Sequence, residues 1–277
     1  MPSRRAFLPL VATLVLVACG PGEPAASAPP GVPVEYAEDV RVWDTPRVQP
    51  DRIILTWAED PAATHSVTWR TDTSVEAAVA EVALATPHPG FVNEAVRVDA
   101  ETQSVDASIV EGEYVVANFH TATFRDLLPD TLYAYRVGDG ETWSEWFQFR
   151  TASTGPDPFS FVYFGDAQND VMSLWSRVVR ASALEAPDMA FMLHAGDLIN
   201  RAHRNTEWGE WFEAGGFLHA MFPAIATPGN HETDPYTPAE DAQGIDYLSI
   251  YWQPQFAFPD NGPEGIDAET AYYIDYQ

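Results

Sequence analysis

His194-Ala195-Gly196-Asp197-Leu198-Ile199-Asn200 marks a strand-to-turn boundary, because the apolar run Met189 to Leu193 leads into it and an acidic turn follows. The same punctuation occurs on both sides. Phe159 to Phe164 runs into Gly165-Asp166-Ala167-Gln168, and Ala224 to Thr227 runs towards Gly229-Asn230-His231-Glu232. Asp166 and Asp197 lie 31 residues apart, and Asp197 and Asn230 lie 33 apart, about one strand–helix–strand unit each. Three successive parallel strands would therefore bring Asp, Asp and Asn-His to one edge of a sheet. Open α/β sheets place their ligands at that edge, outside the carboxyl ends of the strands.

Two carboxylates and an amide oxygen converging at strand ends suit hard or borderline metal ions. A carboxylate has two oxygens, so the middle one, Asp197, can join two ions about 3.5–4 Å apart, as in two-metal hydrolytic sites. Asn230 and His231 leave one turn in different directions, so one can bind metal while the other faces a substrate. Gly-Asp and Gly-Asn are also ordinary loop dipeptides, and one alone would carry little weight. Three in register at strand ends carry more.

In this order, Gly165-Asp166, Gly196-Asp197-Leu198 and Gly229-Asn230-His231-Glu232 resemble the first three motifs of the metallophosphoesterase superfamily. The branch they resemble most is the purple acid phosphatases, whose pattern reads D-x-G, G-D-x-x-Y, G-N-H-[DE], V-x-x-H and G-H-x-H. Gln168 stands where the first motif has Gly, and Asn200 where the second has Tyr. No histidine follows His231, so the last two motifs do not occur in these residues. The resemblance implies metal-assisted hydrolysis of a phosphate ester, most simply a monoester, with two metal ions drawn from Fe, Zn or Mn. It implies that Asp166 binds the first ion, Asp197 joins both and Asn230 binds the second. His231 resembles the substrate-facing catalytic histidine, which hydrogen-bonds the ester or protonates its leaving group. Gln168, His194 and Asn200 are further candidates for binding metal or orienting its ligands. His194 is expected to be buried and to steady the Asp197 loop.

At the N-terminus, Ser3-Arg4-Arg5-Ala6-Phe7-Leu8 resembles a twin-arginine export signal, and Leu8 to Ala18 is an apolar run of 11 residues. That is short for a membrane span and suits a signal peptide. Leu16-Val17-Ala18-Cys19 resembles a lipobox, so residues 1–18 read as the signal peptide and Cys19 as the lipidated residue. A plain secretory signal is the alternative. Cys19 is the single cysteine, which rules out an intramolecular disulfide. Residues 19–46, rich in Pro and Ala at their start, read as a flexible tether. The expected product is an exported cell-envelope lipoprotein, periplasmic or at the outer surface, held to the membrane by its lipid.

Residues 47–152 read as an all-β sandwich. Ile53 to Trp57 and Ser66 to Arg70 are β-branched and aromatic and nearly alternate. The spacing Leu127-x-Pro129-x-Thr131-x-Tyr133-x-Tyr135-x-Val137 resembles the tyrosine-corner strand of fibronectin type III sandwiches. The larger purple acid phosphatases carry such a domain ahead of the catalytic one. His65, His88 and His120 read as packing or surface residues.

Residues 159–277 read as the N-terminal part of a metallophosphoesterase α/β domain. Val171, Leu174, Val178 and Val179 recur at helical spacing up to Pro187. Glu207 to Phe222 reads as a second helix with Trp208, Trp211 and Phe212 on its core face. Arg201, His203 and Arg204 read as a solvated loop within reach of a phosphate. Ala271 to Tyr276 is expected to begin a further strand, with the rest of the domain beyond it. On that expectation these 277 residues alone are inactive or nearly so.

The chain has 41 acidic residues against 14 arginines and no lysine, a net charge of −27. This disfavours nucleic-acid binding, which needs a positive footprint. A small phosphate ester would meet a repelling surface, so metal ions must supply the local positive field. The same motifs also suit a phosphodiesterase or nucleotidase. A reading of another class is a lipid-anchored binding module in which the sandwich works and the site is degenerate.

Overall fold

The structure, a computed structural model, describes residues 43–277. The export signal, Cys19 and residues 19–42 of the tether lie outside the described residues. Residues 43–46, read above as the end of the tether, are tied to the body: the carbonyls of Trp43 and Asp44 accept from Arg70 Nη2 and Asn205 Nδ2. No helix among the described residues is long and apolar enough to cross a membrane.

Eight strands come first: β1 (Asp51–Thr56), β2 (His65–Thr71), β3 (Val79–Leu84), β4 (Val96–Asp99), β5 (Glu101–Asp106), β6 (Val116–Phe124), β7 (Leu132–Gly138) and β8 (Phe147–Arg150). They form two four-stranded sheets, ordered β1-β2-β6-β5 and β4-β3-β7-β8. Between the sheets lie Leu55, Val67, Trp69, Phe124, Tyr135 and Phe149, all buried. The tyrosine corner is present, with Tyr133 Oη accepting from the Leu128 amide at 2.9 Å.

Every residue of β2 is buried, which alternation alone does not explain. Val67 and Trp69 face the sandwich core. On the opposite face, Thr68 and Arg70 hydrogen-bond to Gln255 and Asn205 of the α/β half. Ile54, Val105, Ala117 and Phe119 of this sheet, with Ala107 just after β5, share a second core with the α/β residues Trp175, Trp208, Trp211 and Trp252. The sandwich and the α/β half thus share one continuous apolar core, flanked by buried polar bonds from Arg52, Thr68 and Arg70 to Asn205 and Gln255.

The α/β half carries three parallel strands, β9 (Val162–Phe164), β10 (Met192–His194) and β11 (Ala224–Ala226), ordered β11-β10-β9. Helix α1 (Ser176–Glu185) follows a π-helical turn at Val171–Trp175. Two parts of the sequence reading need correction. The second helix begins earlier, as α2 (Asn205–Gly215), and stops at Gly216, whose φ of 53° is left-handed; α3 (Phe217–Met221) is a separate turn. Ala271 to Tyr276 forms no strand. Instead, the Tyr272 hydroxyl accepts from Ala226 N and donates to Ala226 O, capping the outer edge of β11 with a side chain.

Candidate metal centre

Each of the three parallel strands ends in one of the marked turns, and β10, which leads to Asp197, is central. Asp166 and Asp197 both adopt left-handed backbone, with φ of 50° and 53°. Aspartate tolerates that region better than most residues, and such strain concentrates at functional turns. The second and third turns touch through glycine. A Cβ on Gly196 would sit 2.5 Å from Gly229 N, and one on Gly229 would sit 2.2 Å from Asp197 Oδ1. Any side chain at either position would force the two loops apart.

Three carboxylates hold the Asp197 loop by its amides. Glu232, fully buried, accepts from Asp197 N at 2.8 Å and Leu198 N at 2.7 Å, with a longer bond from Ile199 N at 3.5 Å. It also accepts from Gly229 N at 2.6 Å, joining the second turn to the third. Glu207 Oε2 takes Asn200 N at 2.9 Å and Arg201 N at 2.8 Å, and Asp234 Oδ2 takes Ala202 N at 2.9 Å. Every amide from 197 to 202 is thereby paired with a carboxylate. Burial pushes the Glu232 carboxyl above its ordinary range, while the four amides pull the other way. In the sequence Glu232 stands inside the third motif with no role of its own. The legible signal was its place three residues after Gly229, the spacing of a capping box.

The side chains of the candidate residues meet as follows. Asp197 Oδ1 accepts from His231 N at 3.1 Å, and Asp197 Oδ2 accepts from Gln168 Nε2 at 3.1 Å. His231 Nδ1 lies 2.7 Å from the Asn200 carbonyl, so Nδ1 is the donor and Nε2 is left to face outward. Asn200 Nδ2 donates to Asn169 Oδ1 at 2.6 Å. Among the described residues, no hydrogen bond or ion pair engages the Asp166 carboxylate or the Asn230 side-chain amide.

His194 departs from expectation. It is buried, but its ring stacks on Phe164 and packs against Trp175, Trp211 and His219, and neither ring nitrogen has a hydrogen-bond partner. It supports the floor under β10 and does not reach the Asp197 loop by hydrogen bonding; the three carboxylates do that work. His203, by contrast, bonds the Asp234 carbonyl through Nε2. Arg201 is neutralised by Glu207 at 2.5 Å, and Arg204 by Glu113 at 2.8 Å.

The donor set fits a metal ion in kind. Asp166, Asp197 and Asn230 offer oxygen atoms suited to divalent cations. Gln168 Oε1 is buried beside Asp197 with no partner, and a cation there would satisfy it. The set is lean in imidazole: among the described residues, no three or more His, Cys, Asp or Glu side chains cluster at metal-binding spacing.

The sequence profile of the family described as "Purple acid Phosphatase, N-terminal domain" matches residues 50–151, and that of "Calcineurin-like phosphoesterase" matches residues 160–272. Purple acid phosphatase 1 of Ipomoea batatas is 34% identical over 132 residues, covering 45% of this chain and 27% of its own length. An uncharacterized protein of Mycobacterium tuberculosis is 30% identical over 212 residues, covering 71% of this chain and 37% of its own length. This chain therefore spans roughly a quarter to two fifths of the curated relatives it matches. In fold it is similar to a purple acid phosphatase from yellow lupin seeds, with a TM-score of 0.64 at 20% identity over 82% of this chain and 43% of that one. It is also similar to PhoD, with a TM-score of 0.55 at 15% identity over 82% of this chain and 50% of that one.

Proposed function

This chain belongs to the metallophosphoesterases of the purple acid phosphatase type, and we propose that it hydrolyses phosphate monoesters at a two-metal centre. The observation that carries the reading is the convergence of Asp166, Asp197 and Asn230-His231 at one edge of a parallel sheet, with Asp197 in the turn after the central strand. Asp166 would hold one ion, Asp197 both and Asn230 the other, with Gln168 Oε1 as an added oxygen. Bound metals would polarise the phosphoryl oxygens, activate water and neutralise developing charge. His231 is fixed by its Nδ1 bond to the Asn200 carbonyl, which aims Nε2 away from the backbone. From there Nε2 hydrogen-bonds the ester or protonates its leaving group. The proposal extends to an exported, lipid-anchored protein acting on small esters at the cell envelope.

The test uses full-length protein. Asp197→Asn is expected to lower metal content and turnover of a chromogenic phosphomonoester together. His231→Ala should keep the metals and lower turnover about 10²-fold. Loss of an ion from His231→Ala, with Asn230→Ala harmless, would reverse the two assignments. A diester turned over faster than the monoester would shift the reading to a phosphodiesterase.

Asn200 gives a separate expectation. The resemblance places a tyrosinate ligand of ferric iron there, the source of the purple colour, and an amide cannot become an anion. Iron-reconstituted protein is expected to be colourless in that region, with Asn200→Tyr gaining a visible band. A strong purple band in the unmutated protein would sink this account.

A further inference from the structure

The catalytic side holds the Asp197 loop with three carboxylates, but the helix that supplies Glu207 is itself fastened to the sandwich. Asn205 opens α2, and its side chain is spent entirely on the other half. Its Oδ1 accepts from Arg52 Nη2 at 2.7 Å and Arg70 Nη1 at 3.0 Å, and its Nδ2 donates to the Asp44 carbonyl at 2.7 Å. The Asn205 carbonyl takes a second bond from Arg52 Nη2 at 2.8 Å. Glu113, in the β5–β6 connection, pairs with Arg204 at 2.8 Å and accepts a long bond from Asn205 N at 3.5 Å.

Arg52 is placed there at a cost. The β1–β2 register shifts between Asp51 and Ile54, and Arg52 has a φ of 50°, a left-handed backbone that arginine rarely adopts. It is buried, and its hydrogen-bond acceptors are neutral: Gln255 Oε1 and the two oxygens of Asn205. Burial and the neighbouring Arg70 push its pKa down to about 9. A buried cation kept without a bidentate carboxylate contributes little net stability, so a role in fixing the register of the two halves is the better account.

We propose that the sandwich is a working part of the catalytic site, with Arg52, Glu113 and Asn205 as positioning residues for the loop that presents Asp197. The path is a chain of direct contacts. The sandwich fixes Asn205 and hence the first turn of α2. Glu207 in that turn holds the amides of Asn200 and Arg201, at 2.9 and 2.8 Å, and Trp208 Nε1 holds the Ala202 carbonyl at 2.8 Å. The Asn200 carbonyl then orients His231 at 2.7 Å. The catalytic meaning of this path rests on the roles proposed above for Asp197 and His231.

Amide hydrogen exchange of the full-length protein tests it, comparing wild type with Glu113→Gln and Arg52→Met and measuring Mn(II) affinity alongside. Exchange at residues 198–202 is expected to rise about ten-fold in both variants, while β10, β2 and β6 keep wild-type rates. The Mn(II) dissociation constant should rise with it. If Arg52→Met does not fold, Glu113→Gln, at a partly exposed pair, decides alone. Faster exchange confined to the sandwich, or spread evenly so that 198–202 gains no more than β10, would overturn the proposal. Wild-type protein that takes up no Mn(II) would overturn the metal reading, and the exchange comparison would still decide this one.

Discussion

Glu232→Gln is expected to lower unfolding free energy by about 3 kcal/mol and to weaken metal uptake at the same time. The carboxylate accepts from Asp197 N, Leu198 N, Ile199 N and Gly229 N with no exposure to water. Glutamine offers one oxygen to these amides and turns an NH2 group towards the rest, so at least one buried donor faces another donor. Each such loss costs roughly 1–3 kcal/mol. The second and third motif turns are tied through this residue, so the damage falls on the relative placement of Asp197 and Asn230. The measurement is a urea unfolding midpoint with metal content determined on the same samples. An unchanged midpoint together with unchanged metal content would show that Gly196–Gly229 contact alone holds the loops.

Acidification is expected to destabilise the fold between about pH 6.5 and pH 3, and buried histidines supply most of the effect. Burial holds His65, His194 and His219 at a pKa of about 3 and His120 at about 4, with the neighbouring His219 adding to the depression of His194. In the unfolded chain each takes up a proton near pH 6.5. Between those values the unfolded state binds more protons than the folded one, so stability falls as pH falls. The contribution is fully present above pH 6.5 and is lost on the way down to about pH 3. Each histidine depressed to about 3 accounts for on the order of 5 kcal/mol across the window. Carboxylate protonation relieves the repulsion within a chain of net charge −27, but mostly at the acid end of this range. Thermal melts at pH 7, 5.5 and 4 should therefore fall steadily, and His194→Phe with His219→Phe should flatten the slope. A melting temperature that climbs from pH 7 to pH 4 would refute the assignment.

The purely local features are legible in the sequence itself. Apolar runs at βαβ spacing placed Asp166, Asp197 and Asn230 in the turns after successive parallel strands, and the structure brings those turns to one sheet edge with Asp197 central. The alternation around Tyr133 and Tyr135 announced the sandwich and its tyrosine corner. These signals are short-range: strand period, turn chemistry and connection length are written within about 35 residues.

What tertiary structure alone decided concerns partners far along the chain. Alternation in β2 says that one face is buried, but the cover on its second face comes from Gln255 and Asn205, more than a hundred residues on. Gly215-Gly216 lies inside an apolar pattern that reads as one helix from Glu207 to Phe222, and the left-handed backbone at Gly216 breaks it there. The aromatic run near Tyr272 has strand composition, yet a hydroxyl on Ala226 satisfied that edge in place of a ladder. Acidic residues in a chain this acidic look interchangeable. Only the fold shows that Glu207, Glu232 and Asp234 carry the amides of the Asp197 loop, because a loop's backbone donors must be paired and nothing in the local sequence says by whom.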